Sequence, residues 1–190
     1  KVYPCCRYSG GHIDACLEIV NKYHPNAEDI EKIDILSSKY TMHLLAEPCK
    51  WSPRNIVDLQ FSMPFQAAVA FKNGKATVDE FDVAYIDDEL IKRLMAHTTV
   101  AMDEEFERRY PAHYSSAVTI TMKDGTTYSA TVDDPKGDWR NPVTYEDVVN
   151  KFRYLANRVY SDPLRTESIV EFVNDLENQK DMSELMKLVN

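Results

Sequence analysis

The alternation running from Val118 to Val132 constrains this chain more than any other stretch. Val118, Ile120 and Met122 alternate with Thr119, Thr121 and Lys123. Asp124-Gly125 follows, and Tyr128, Ala130 and Val132 then alternate with polar residues. A period of two puts the apolar side chains on one face of a sheet, and the glycine supplies positive φ for a two-residue hairpin turn. The apolar face of that ribbon must be covered by other elements. Ile33 and Ile35, alternating with Lys32 and Asp34, predict a strand over residues 30–45, extended through Tyr40 to Leu44. Thr98 to Met102 supplies a further strand.

The covering elements read as helices. Ile13, Cys16, Leu17 and Val20 recur at helical spacing over residues 11–23, and His24-Pro25-Asn26 ends that run. Residues 54–72 carry Ile56, Leu59, Met63, Ala67 and Ala70 before Gly74, with Pro64 either kinking the helix or opening its second half. Residues 77–83 read as a short turn or helix, and Asp87-Asp88 cap a helix reaching about Met95. Thr144 caps a helix over 145–160 with Val148, Phe152, Leu155 and Val159 on one face. Asp162-Pro163 opens the next, and Asp181 with Glu184 resembles a capping box for a last one. Strands in the middle and helices at both ends predict an α+β fold: a small, mostly antiparallel sheet with the helices 11–23, 54–72 and 145–160 on one face, as a single domain spanning 1–190.

Charge excludes whole classes of partner. With 22 basic against 31 acidic residues the net charge is −9, which suits neither nucleic acid nor an anionic membrane surface. No apolar run approaches the ~20 residues of a membrane span. Cys5, Cys6, Cys16 and Cys49 have neither zinc-ribbon spacing nor the density of a disulfide scaffold, so a reducing cytoplasm is expected, with no Cys5–Cys6 disulfide. There is no phosphate loop, no His-Glu-x-x-His and no Gly-x-Ser-x-Gly. His12, His24, His43, His97 and His113 are scattered and read as ordinary surface or core histidines. Acidic clusters at residues 87–89 and 103–105 read as caps and solvated faces.

The first sixteen residues carry more. Lys1 and Arg7 are two cations beside the thiols of Cys5 and Cys6, the Ser9 hydroxyl and a Gly10-Gly11 pair that opens a helix. Backbone N–H groups at a helix start favour anions, while Arg offers a planar fork and Lys a movable charge to a carboxylate. The alternative is a polar coil packed by Tyr3 and Tyr8.

This segment resembles the start of the C-terminal domain of the MmgE/PrpD family, whose pattern is Lys-x-Tyr-Pro-x-Cys-x-x-x-His before an Ile-Asp-Ala helix. Lys1, Tyr3, Pro4, Cys6, Ile13, Asp14 and Ala15 match it. Phe61 to Phe65 with Ala68-Val69-Ala70 resembles the family's Phe-Ser-x-x-Tyr-x-Val-Ala helix. The hairpin with Lys123-Asp124-Gly125 is similar, as is the run from Gly137-Asp138 through Asn141-Pro142 to Lys151-Phe152. The family includes methylcitrate dehydratase, cis-aconitate decarboxylase and iminodisuccinate epimerase. The resemblance implies the smaller, lid domain of a longer protein whose helical N-terminal domain precedes Lys1, and a homodimer for that parent. It implies a lyase or isomerase, 2-methylcitrate dehydratase-like, that moves a proton next to a carboxylate of a small di- or tricarboxylate without metal or organic cofactor. The cleft would lie between the two domains, so the chain alone is expected to be inactive.

On that resemblance Lys1 faces substrate and holds a carboxylate or stabilises the enolate, and Cys6 lines the site or shuttles a proton unless it is simply a small buried hydrophobe. Lys1, Arg7, Ser9 and Phe65 are the expected substrate contacts, and the surface around Lys1, Cys6, Arg7 and Phe65 is expected to be open and partly apolar. Two positions depart from the pattern. Gly10 stands where the family has histidine, with His12 two residues on and turned about 200° away in a helix. Phe65 stands where the family has an active-site tyrosine. Two other classes remain open: a non-catalytic small-molecule binding or regulatory domain, and an acidic interaction domain for a basic partner.

Overall fold

A computed structural model describes residues 1–190, which divide into two compact units, Lys1–Pro142 and Val143–Asn190. In the first unit α1 is Gly10–Tyr23, β1 Ile30–Ser37, α2 Lys39–Leu45, α3 Ile56–Gln60, α4 Met63–Asn73 and α5 Glu89–Ala96. Then come β2 Thr98–Met102, α6 Glu104–Arg109, β3 Ser116–Met122 and β4 Thr127–Val132. The sheet order is β2-β1-β3-β4. β1 lies antiparallel to β3, with Ile33 opposite Ile120 and Ile35 opposite Val118, and β3 lies antiparallel to β4. The expected mostly antiparallel sheet is therefore present, with one parallel edge: β2 runs parallel to β1, Ile33 opposite Thr98. A parallel pair needs a long crossover, which the segment carrying α2 to α5 provides.

Every second residue of β3 is buried, Ser116, Val118, Ile120 and Met122, and Ile33, Ile35 and Ser37 of β1 share that burial. α1 packs on β3 and β4, α5 packs on β1, and α4 packs against both helices. All residues of α4 from Met63 to Phe71 are buried. The small run Ala67, Ala68 and Ala70 is what permits such close packing on several sides. Gly11 likewise lets α1 approach β3, since a Cβ there would lie 2.9 Å from the Tyr114 carbonyl oxygen. No helix is long and apolar enough to cross a membrane.

Three expectations need correction. The strand expected over 30–45 ends at Ser37, because the Ser38 hydroxyl accepts the Thr41 N–H and starts α2. The helix expected over 54–72 is two helices: Ser62 caps the second by accepting the Phe65 N–H, with Pro64 in its first turn, where the missing N–H costs nothing. The hairpin turn has three residues rather than two. Met122 donates to Thr126, Gly125 donates to Met122, and Gly125 has φ 86°, a type I turn closed by a glycine bulge. Both expected helix stops are present, with His24 and Gly74 in left-handed conformations closing α1 and α4.

The second unit contains α7 Tyr145–Ala156, α8 Pro163–Asn174 and α9 Ser183–Val189. Thr144 and Asp147 form a full capping box on α7. The helix expected over 145–160 ends at Ala156, and its expected apolar face is covered only in part: Phe152 and Leu155 are half-buried, Val148 and Val159 are exposed, and the buried residues are Val149 and Ala156. Arg153 on α7 grips Glu167 on α8 with two hydrogen bonds of 2.7 and 2.6 Å, and Arg165 donates to the Leu188 carbonyl at the end of α9. The 181–184 capping box does not form; Asp181 accepts the Ser183 N–H instead.

His12 shows how α1 and α4 are locked together. It is fully buried, with Nε2 2.9 Å from the Gln66 side-chain oxygen, while the Gln66 amide nitrogen donates to the Leu59 carbonyl. Gln66 thus offers an acceptor, so His12 Nε2 carries the proton, and Nδ1 is buried without a partner. Burial lowers the imidazole pKa from 6.5 to about 4. The unfolded chain therefore takes up a proton that the folded chain refuses across that interval. Stability from this group is complete above pH 6.5 and is lost as pH falls toward about 4, by roughly 3 kcal/mol. Urea unfolding at pH 7.5 and 4.5 should show this loss, and His12→Leu should reduce it. Equal pH dependence in the two proteins would refute the assignment.

Candidate functional site

The N-terminal strap, residues 1–9, lies over the start of α1 and meets the loop of residues 133–142. Cys6 N–H donates to the Gln60 carbonyl at 3.0 Å, anchoring the strap to the end of α3. The Lys1 ammonium donates to the Cys5 carbonyl at 2.7 Å. Arg7 makes a 3.0 Å ion pair with Asp138, 131 residues away in sequence. Its guanidinium also lies over the Tyr114 ring, 5.6 Å from the centroid. Asp138 in turn accepts the Arg140 N–H at 3.1 Å and has the Arg140 guanidinium 3.6 Å away.

These contacts enclose a small cavity of about 30 Å³ bordered by Lys1, Cys6, Arg7, Gly10, Lys136 and Gly137. Three cationic residues and Cys6 thus border one small space. The volume is the share of a single water molecule, so a small polycarboxylate is not enclosed by this chain alone. A wider groove of about 570 Å³ lies beside it, bordered by Tyr3, Asp14, Leu17, Glu18, Val132 and Lys136. Tyr3 and Lys136 border both spaces and form the wall between them.

The expected site residues divide. Lys1, Cys6 and Arg7 are together at the cavity, Lys1 exposed and the other two half-buried. Ser9 and Phe65, expected to touch substrate, do not join them. Ser9 is fully buried beside the Cys5 thiol, because the turn Arg7–Ser9 directs it under the strap. Phe65 is fully buried in α4, edge-on to Phe81 at 6.0 Å. The open apolar surface expected to unite Lys1, Cys6, Arg7 and Phe65 therefore lacks its aromatic member. Burial also pushes the Cys5 thiol up to about 11, which removes it as a nucleophile and leaves Cys6 as the thiol at the cavity.

Gly10 explains the missing histidine. A Cβ at this position would lie 2.7 Å from Pro135 Cβ, closer than real contacts allow. The 133–142 loop fills the space that a side chain would need, and brings Lys136 to the cavity rim instead. Lys136, Asp138, Tyr3 and Asp14 were not read as site residues from the sequence, although all but Lys136 stand in the quoted motifs. Only the carboxylates of Asp14 and Asp138 within those motifs hint at it, because the pairing across the chain leaves no local pattern.

A family model described as the MmgE/PrpD C-terminal domain matches residues 3–176. The chain is 27% identical over 199 residues to the cis-aconitate decarboxylase-like protein oryM of Aspergillus oryzae, covering all of the chain and 40% of that protein. It is 26% identical over 204 residues to cis-aconitate decarboxylase of Aspergillus terreus, again covering all of the chain and 40% of the relative. With cis-aconitate decarboxylase of Mus musculus it shares 27% identity over 132 residues, 70% of the chain and 27% of that protein. The chain thus spans about 40% of the length of the first two relatives.

Proposed function

Because the chain belongs to the MmgE/PrpD family, as its C-terminal domain, we propose that it is the lid half of a cofactor-independent lyase acting on small di- or tricarboxylates. The observation that carries this reading is that Lys1, Arg7, Lys136 and Cys6 border one small cavity, drawn from two segments held together by the Arg7–Asp138 pair. Cations at that density suit a ligand with several carboxylates. Proton transfer at the carbon next to a carboxylate places negative charge on the carboxylate oxygens. Lys1 is the donor that stabilises this charge as it develops. Arg7, braced by Asp138 and Tyr114, holds a second carboxylate in ground and transition states alike. Cys6 stands where it can line the substrate or relay a proton. The cavity is too small to complete the site, which supports a second domain of the same protein as the other wall, in a cytoplasmic homodimeric parent. Loss of water and change of a stereocentre begin with removal of this proton, whereas loss of carbon dioxide leaves its electron pair on the substrate and ends with a proton delivered to carbon; the relatives favour decarboxylation.

The test is an assay of the full-length protein and of residues 1–190 alone on cis-aconitate, 2-methylcitrate and iminodisuccinate. Turnover is expected from the full-length protein on at least one of them and from the isolated chain on none, since misplacing groups by ~1 Å costs on the order of 10²-fold and half of the site costs more. Robust turnover by the isolated chain would refute the shared cleft. No turnover by either would favour a non-catalytic binding domain.

A further inference from the structure

One carboxylate, Asp14, joins three separate parts of the site. It lies on the second turn of α1. One of its oxygens accepts the Tyr3 hydroxyl of the strap. The other accepts the Lys136 backbone N–H at 2.6 Å, bridging 122 residues of sequence. The gripped residue opens a tight turn: Asp138 N–H donates to the Pro135 carbonyl at 3.0 Å, Gly137 N–H donates to the Asn141 carbonyl at 2.8 Å, and Gly137 has φ 87°. That turn presents Asp138 to Arg7 and lies against Gly10, where no side chain fits. The strap, α1 and the loop are therefore indexed to one another by Asp14 on one side of the cavity and by Arg7–Asp138 on the other.

We infer that Tyr3 and Asp14 are a positioning pair that seats Lys136 at the cavity rim, and that Lys136 supplies a third carboxylate-binding charge beside Lys1 and Arg7. This rests on the polycarboxylate reading above. The electrostatics agree with the geometry. Burial raises the Asp14 carboxyl, while the Tyr3 hydroxyl, the Lys136 N–H and the Lys136 charge oppose that rise. A half-buried carboxyl held in this way is better satisfied with both partners than with either alone. Neither residue touches substrate in this scheme. Tyr3 and Asp14 act through the position of Lys136, so their loss should weaken ground-state binding rather than slow the chemical step.

The experiment is a double-mutant cycle in the full-length protein, with kcat and KM measured on whichever polycarboxylate it turns over. Lys136→Ala should raise KM about tenfold or more with kcat within about threefold of wild type. Asp14→Ala should do the same, and in the Lys136→Ala background it should add almost nothing to KM, because the group it positions is gone. Tyr3→Phe removes one hydroxyl and keeps the fold even if Asp14→Ala does not; it should show a smaller KM rise that also vanishes in the Lys136→Ala background. KM effects that multiply, or an Asp14→Ala that lowers only the melting temperature, would overturn the inference. If the wild-type protein turns over no polycarboxylate, the proposed reaction fails. The inference is then decided by calorimetric binding of tricarballylate. The same non-additivity in Kd supports it; additive losses, or no binding by the wild-type protein, overturn it.

Discussion

Lys1→Ala in the full-length protein is expected to lower kcat about 10²–10³-fold while KM changes little. The ammonium sits at the cavity beside Cys6 and Arg7 and is held by the Cys5 carbonyl at 2.7 Å. A donor already oriented by the protein pays no reorganisation when charge appears on the substrate, and that is where an electrostatic group gains its effect. Arg7 has the opposite environment. It is tied to Asp138 and lies over the Tyr114 ring, so in the proposed role it would hold a carboxylate throughout, and its loss should appear in KM. Lys1→Arg separates charge from geometry: it keeps the cation but replaces a compact, movable donor with a planar fork. Turnover in Lys1→Arg should remain well below wild type. Near-normal kcat in Lys1→Ala would remove Lys1 from the reaction and leave it as a tether for the strap.

Local pattern revealed most of the sheet because each signal was confined to a few neighbouring residues. The alternation through Val118 and Ile120 has no helical reading, and β3 and β4 lie where it put them. Where the sequence reading failed, a capping side chain decided. Ser38 and Ser62 each turn a backbone that apolar pattern alone would have continued, and a single hydroxyl is a weak signal beside a run of Ile, Leu and Met. The parallel pairing of β2 was illegible for another reason: Thr98 to Met102 has the same alternation whether it runs with β1 or against it, and only the crossover settles direction. In the site, the charges on the strap were legible because they are adjacent in sequence. Asp138, Lys136 and Asp14 were not, since their partners lie more than 120 residues away. Gly10 was read as a lost histidine. Its meaning became visible only with Pro135 against it.

Phe65 carries the largest expected effect on stability. Its ring is fully buried, packs edge-on to Phe81, and belongs to a helix buried along most of its length. Phe65→Ala removes that contact and leaves a cavity that neighbours on several sides cannot all move to fill, at a cost of about 3–5 kcal/mol. Urea unfolding should show this as a lower midpoint with an unchanged slope. Phe65→Tyr asks a different question, because the family's helix has tyrosine here. If the position faced substrate, the phenol would restore a catalytic group at little structural cost. In the packed core around Phe81 the added hydroxyl instead enters a cluster of buried apolar side chains. Burying it unsatisfied should cost roughly 1–3 kcal/mol, with no gain in turnover. A Phe65→Tyr protein as stable as wild type and faster on a polycarboxylate would show that α4 turns this side chain toward substrate in the complete enzyme. The expected result, lost stability and unchanged kcat, would mark position 65 as a place where this chain has exchanged a reactive phenol for packing, leaving Lys1, Arg7 and Lys136 as the groups this half of the cleft brings to the substrate.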